Sequence, residues 1–255
     1  MPPTNAAARS YGQLCGIATA LDVIGDRWAV LIVRDLLLGP LRFGELADGL
    51  PGIGTNTLTA RLKHLEGAGV VRRQLLPLPD RGTVYEITPY GQEVEPILMA
   101  LGRWGTKSMA RLAPDVASRS RWLAAGMLAF HDERRRVGRT TTWELRLTDG
   151  PFTVRAEGTD LAISAGAPDE PDAVITVSDE ELHRLLSHQV TPSEAVASGA
   201  VTVEGDVSQL VRLLELFAFP ALEPAATPGA PALEPAAARG GRGIEPIGAP
   251  DGQGR

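Results

Sequence analysis

Apolar residues recur at helical spacing through residues 17–38, at Ile17, Leu21, Ile24, Trp28, Leu31, Ile32 and Leu36. A stripe repeating every three to four positions marks helices that bury one face. Gly25 divides this stretch into two helices, and Gly39-Pro40 ends the second. Residues 42–50 read as a short helix stopped by Pro51-Gly52, and residues 55–68, with Leu58, Leu62 and Leu65 on one side, as a longer one closed by Gly69. Two short helices joined by a tight glycine-proline turn form a helix-turn-helix pattern. Residues 70–76 and 83–88 are strand-like, and the LPLPDRG segment between them predicts a hairpin with a basic tip, a wing. From Pro89 to about residue 112 the pattern is helical again. Val94, Ile97, Leu98, Leu101 and Trp104 fall along one side of this helix, which predicts a dimerisation element.

Pro114 marks a change in composition, after which residues 116–131 again look helical. The segments TWELRL, PFTVRAE, DLAISA and DAVITVS alternate apolar and polar residues and are separated by TDG, EGTD and GAPDEP, which predicts a meandering antiparallel sheet. DEELHRLLSHQ, TPSEAVASG and VSQLVRLLELFAF supply helices, and AVTVEGD a further strand. From Pro220 onward the chain is Pro, Ala and Gly with few bulky apolar residues, the composition of a disordered tail. The predicted fold class is α+β in three parts: a winged helix DNA-binding and dimerisation domain over residues 1–112, an α+β domain over 116–219, and a tail over 220–255.

With 44% hydrophobic and 22% charged residues, the chain has an ordinary globular composition. No apolar run approaches the roughly 18 residues of a membrane span, and the first residues lack the apolar core of a signal peptide. The expectation is a cytoplasmic protein with no membrane partner. A single cysteine, Cys15, excludes an intrachain disulfide and a thiolate-rich zinc site. The net charge of −6 is unevenly spread. Residues 1–111 carry 12 Lys+Arg against 10 Asp+Glu, a balance of +2, whereas residues 112–255 carry 13 against 21, a balance of −8. The acidity therefore belongs to the second half, and the first half keeps a local field compatible with a polyanion.

In residues 55–68 the inward leucines turn Asn56, Ala60, Lys63 and Gly67 outward, with Thr55, Thr57 and Thr59 near the entry turn. Small and polar side chains let a helix enter a major groove. Asn56 suits an adenine edge, Thr59 a thymine methyl or a phosphate, and Lys63 a phosphate, while Arg61 at the flank suits the backbone. Arg81 at the wing tip would reach phosphate or minor groove, and Arg42 begins the first helix of the motif, where side chains cross the DNA backbone. Arg72 and Arg73 alternate faces, so at most one of them points at DNA. An ordinary solvated helix face is the alternative for these residues singly, and the basic hairpin that follows argues against it. Signs of catalysis are few. His183 and His188 are five apart and share no helix face, Glu180 and Glu181 complement a helix dipole, and there is neither a phosphate-binding glycine loop nor a nucleophile elbow. The expectation is no enzyme, no cofactor and no metal.

The stretch CGIATALDVIGDRWAVLIVRDLLLGPLRFGELADGLPGIGTNTLTARLKHLEGAGVV, followed by VYEITPYGQEV and Trp104, resembles the HxlR-type family of winged-helix regulators over roughly residues 11–110. It departs at Gly16, where the family usually has proline, and at Gly54, where a capping serine is common; glycine caps nearly as well. The resemblance implies a homodimer that binds palindromic double-stranded DNA. It also makes Cys15 a candidate redox sensor, because several members use a cysteine at the matching position to sense oxidants or electrophiles; a small packing residue is the alternative. Residues 117–219, through DAVITVSDEELHRLLSHQVTPSEAVASGAVTVEGDVSQLVRLLELF, resemble the sterol-carrier-protein-like fold, which implies an apolar cavity for lipids or acyl chains. Leu182, Leu185, Leu186, Val211, Leu214 and Phe217 would line that cavity or pack the core. The function expected is a dimeric, sequence-specific transcriptional regulator with a hydrophobic small-molecule effector. The alternative is a soluble carrier of hydrophobic ligands that keeps the winged helix for dimerisation.

Overall fold

The computed structural model describes residues 10–77, 80–109 and 119–220. Helices α1 (Gly16–Ile24) and α2 (Ala29–Leu37) part at Gly25, and α3 (Phe43–Gly49) and α4 (Thr55–Gly67) follow. Ile32, Val33 and Leu36 of α2 meet Leu46 of α3 and Leu58, Leu62 and Leu65 of α4 in one core. Each of these leucines, taken wholly from water, is worth about 1.5–3 kcal/mol, so the stripe that marks the helices also fixes how they pack. Strands β1 (Leu41–Arg42), β2 (Val71–Leu76) and β3 (Gly82–Ile87) form an antiparallel sheet in the order β1-β3-β2, and β2 and β3 are the wing.

The single long helix expected after the wing is two: α5 (Pro89–Gln92) and α6 (Glu95–Thr106). Thr88 caps α5, its hydroxyl accepting from the Gly91 N–H at 3.0 Å. Pro96, in the first turn of α6, could not continue a helix running through Gln92, because its ring would strike the carbonyl four residues back. Gly91 is needed where it stands, since a Cβ there would collide with the Val70 carbonyl oxygen.

Helix α7 (Ser120–Ala129) leads into β4 (Val137–Leu147), β5 (Gly150–Gly158), β6 (Asp160–Ala165) and β7 (Ala173–Val177), followed by α8 (Asp179–Leu186), α9 (Pro192–Ala197), β8 (Val201–Glu204) and α10 (Ser208–Leu214). The sheet is not the meander that strand periodicity predicts. Its order is β6-β5-β4-β7-β8, and β7 crosses over to lie parallel to β4. Asp172 secures the crossing: its carboxylate accepts from the Thr142 N–H at 2.8 Å and its own N–H donates to the Thr142 carbonyl at 2.7 Å. Alternation records which face of a strand is buried and carries no information on its neighbour. Trp143, Leu145, Phe152, Val154 and Ile175 of the sheet pack with Leu182, Leu185, Leu210 and Leu213 of the helices. The buried Trp143 indole N–H is satisfied by Gln209 at 3.1 Å.

The two cores interlock. Leu38, which follows α2, is buried in the second core, while Ala129 and Phe130, which end α7, are buried in the first. Arg121 donates to the carbonyls of Asp35 at 2.7 Å and Gly39 at 3.0 Å, Arg119 to that of Asp48 at 2.9 Å, and the Ala165 N–H to that of Leu38 at 2.8 Å. The tail expected from residue 220 lies, beyond Pro220, outside the described residues, as do the expected boundary at residues 112–116 and part of the wing loop.

Candidate nucleic-acid interface and apolar cleft

Helix α4 presents Thr55, Asn56, Ala60, Lys63 and Gly67 to solvent, and the leucine stripe on its other side holds it against α2. Thr57 and Thr59 are half-buried. The Thr59 hydroxyl donates to the Thr55 carbonyl at 2.8 Å, so it is occupied within the helix. His64, half-buried, donates from Nε2 towards the carbonyls of Asp22 and Val23, each at 3.1 Å, and ties α4 to the end of α1.

Two of the expected DNA contacts have other work. Arg61 pairs with Asp26 at 2.8 Å, with both side chains one-third exposed, so it braces α4 against the turn between α1 and α2. Arg42 donates to the carbonyls of Arg81 at 2.9 Å and Asp80 at 3.3 Å, so it holds the base of the wing loop. Gly82 makes room for it: a Cβ there would collide with the Arg42 guanidinium. The Arg81 side chain stays exposed. On the wing, Arg72 pairs with Glu86 at 2.6 Å and Arg73 lies over the Tyr85 ring at 5.9 Å, so the two arginines take opposite faces.

The residues expected for dimerisation separate into two sets. Leu98 is buried in the winged-helix core and half-buried Val94 packs against it. Ile97, Leu101 and Trp104, spaced along one face of α6, are exposed at 48%, 45% and 72%. By the helical period Ile97 and Trp104 point well away from Leu98, with Leu101 between, which a reading of five apolar residues as one stripe overlooks. Tyr11, Leu14, Ile17 and Leu21 add further exposed apolar surface at the start of the described chain. Cys15, the N-cap of α1, is exposed, and the N–H groups of Ala18 and Ile17 hold its thiol below the ordinary range.

The second domain carries a cleft of about 510 Å³ lined by Leu185, Leu186, Val190, Val211, Leu214, Phe217 and Phe219 together with the polar and charged His188, Thr191, Asp132, Arg134, Arg135 and Glu215. Five of the six expected cavity residues meet there. Leu182 does not; it is fully buried in the core. An adjoining cleft of about 710 Å³ shares Arg134, Arg135 and Glu215 and adds Trp143, Leu216, Arg139 and Arg212.

Sequence reasoning missed the charges between the domains. Asp35 is buried with one carboxylate oxygen unpartnered. Burial pushes its carboxyl up against the opposing pull of Arg34, Arg121 and Arg119. Arg34 pairs with it at 2.8 Å and stacks over Trp122 at 4.9 Å. The only signal in the sequence was an Arg-Asp pair interrupting the apolar run of α2. Among the described residues no cluster of His, Cys, Asp and Glu could hold a metal, and no helix is long and apolar enough to cross a membrane.

A helix-turn-helix followed by a β-hairpin wing, fused to a sterol-carrier-like α+β domain, defines the class of protein. The sequence profile of the HxlR-like helix-turn-helix family matches residues 23–113, and that of the SCP-2 sterol transfer family matches residues 130–218. The HTH-type transcriptional regulator sll1512 of Synechocystis sp. is 38% identical over 96 residues, which cover 37% of this chain and 70% of the relative. The regulator YvaP of Bacillus subtilis is 39% identical over 88 residues, covering 34% of this chain and 82% of the relative. Among solved structures, the redox regulator HypR in its reduced form aligns at a TM-score of 0.35 and 30% identity over 37% of this chain and 93% of its own. The chain belongs to the HxlR-like helix-turn-helix family.

Proposed function

We propose that this chain is a homodimeric, sequence-specific DNA-binding transcriptional regulator of the cytoplasm, with its second domain taking a hydrophobic small molecule as effector. The observation that carries the reading is α4: a helix locked by three buried leucines, His64 and Arg61, with Asn56, Ala60 and Lys63 exposed beside a wing that ends in exposed Arg81. Such a helix enters a major groove with small and polar side chains foremost while the wing reaches the flanking backbone. The exposed Ile97, Leu101 and Trp104 of α6 supply the face for a second copy, and the cleft supplies the effector site. Cys15, exposed with its thiol acidified, is the candidate for a second, redox signal.

Selection of duplexes from a random pool by the purified full chain tests the reading. The expected result is an inverted repeat, bound with steep salt dependence. Recovery of no preferred sequence, with a bound hydrophobic ligand and salt-insensitive DNA retention, would instead support a carrier that uses its winged helix for dimerisation.

A further inference from the structure

The cleft and the winged-helix core share a wall. Residues 130–132 and 216–218 run antiparallel: His131 bridges Phe217, the Asp132 N–H donates to the Leu216 carbonyl at 2.9 Å, and the Ala218 N–H donates to the Phe130 carbonyl at 2.8 Å. This pairing brings Phe219 onto Phe130, with ring centroids 4.3 Å apart and planes tilted by 34°. Phe130 is buried in the winged-helix core with Leu98 and Met99 of α6. Phe219 packs against both cores and also lines the cleft. Beside Phe130, α6 is clamped to the end of α7: Arg103 donates to the Ala129 carbonyl at 2.8 Å, and a Cβ on Gly102 would lie 3.2 Å from the Ala129 methyl.

We propose that Phe219 is the coupling residue between the two domains. Its ring lines the space an apolar effector would occupy and also packs on Phe130 of the winged-helix core. Filling the cleft displaces the ring, Phe130 repacks, and α6 shifts with it. The exposed flank of α6 carries Ile97, Leu101 and Trp104, so such a shift changes how two copies set their recognition helices apart. Close-packed interiors switch between discrete arrangements rather than compress, which lets a small displacement at a wall move a whole helix. The inference rests on the reading of the cleft as an effector site, and a ligand acts through Phe219 only if its affinity differs between the two ring positions.

The test uses the full chain, its selected operator, and anilinonaphthalene sulfonate, an anionic aromatic dye that fluoresces in apolar surroundings. In the wild-type chain, dye and operator should shift each other's affinity by about five-fold or more. Phe219→Ala should bind both but move operator affinity without dye in the same direction, and added dye should then change it by less than about two-fold. Phe219→Leu, which keeps most of the volume, should show intermediate coupling and covers the case in which the alanine variant fails to fold. Val211→Ala, at a residue that lines the cleft and belongs to neither core, should weaken dye binding and retain full coupling at saturating dye.

Coupling of wild-type size in Phe219→Ala, or bound dye with no coupling in the wild-type chain, overturns the proposal while leaving the cleft as a ligand site. Absent dye binding, or binding that Val211→Ala does not alter, overturns the cleft reading instead. Operator affinity of Phe219→Ala without dye then decides alone: a shift of about five-fold supports the link between domains, and an unchanged affinity removes it.

Discussion

Asn56 and Arg81 are both exposed and polar, and the proposed function gives them different roles. Asn56 projects from the first turn of α4, where an amide can pair with a base edge. Asn56→Ala should weaken operator binding by about 1–3 kcal/mol and leave nonspecific DNA nearly unaffected, as measured on matched duplexes. Equal loss on both would remove it from base readout. Arg81 sits on a loop whose backbone Arg42 holds, so its guanidinium suits a phosphate. Arg81→Ala should weaken all sequences alike and lower the salt slope by about 1 per subunit; an unchanged slope would place the wing tip off the DNA. His131 responds to pH. Burial holds its pKa below the ordinary 6.5, against the opposing pull of Glu133, Asp132 and Asp160. The folded state therefore prefers the neutral ring, and the stability this gives is present above pH 6.5 and lost as pH falls through the lowered value. Denaturant melts between pH 7 and pH 5 should show a loss in the wild-type chain that His131→Asn lacks, the window lying above the ordinary carboxylate range.

Helix α6 shows how one element can serve two surfaces. Leu98 and Met99 belong to the winged-helix core, and Ile97, Leu101 and Trp104 are exposed along the adjoining flank. Leu101→Glu should therefore dissociate the proposed dimer without unfolding the chain, since it changes a side chain that is 45% exposed in the single copy. Burying an unpaired carboxylate between copies is strongly unfavourable, and one half-site alone gives too few contacts for tight binding. Ultracentrifugation should show monomer, and operator retention should fall with it. An intact dimer would move the interface to another surface. Leu98→Glu, in contrast, should destabilise the fold itself, which thermal melting would register as a drop in Tm.

At the scale of the whole molecule, the two domains are joined by more than a linker. Leu38 is buried in one core, Ala129 and Phe130 in the other, and Arg121 spans the junction with two hydrogen bonds to backbone carbonyls. The chain should accordingly unfold in one cooperative transition, with calorimetric and van't Hoff enthalpies in agreement. Two resolved transitions would show that the domains are thermodynamically independent, and coupling between cleft and recognition helix would then lack a rigid path.

Local periodicity determined a good deal. The leucines of α4, the glycine-proline turn and the wing strands were legible because each is a repeat within one element, and burial acts on whichever face the repeat defines. Exposure of Asn56, Ala60 and Lys63 followed from that same geometry. The sequence also carried the break at Pro96, although the apolar run around it hid the signal. Tertiary structure decided the rest. Only the folded chain commits Arg61 to Asp26 and Arg42 to the wing carbonyls, because an arginine's partner depends on what arrives within a few ångströms from distant segments. It alone sends β7 across to β4, since alternation fixes a strand's faces and not its neighbours. The meeting of Phe130 with Phe219, 89 positions apart in the chain, has the same origin: packing joins residues by shape and burial, and no local pattern records which two will touch.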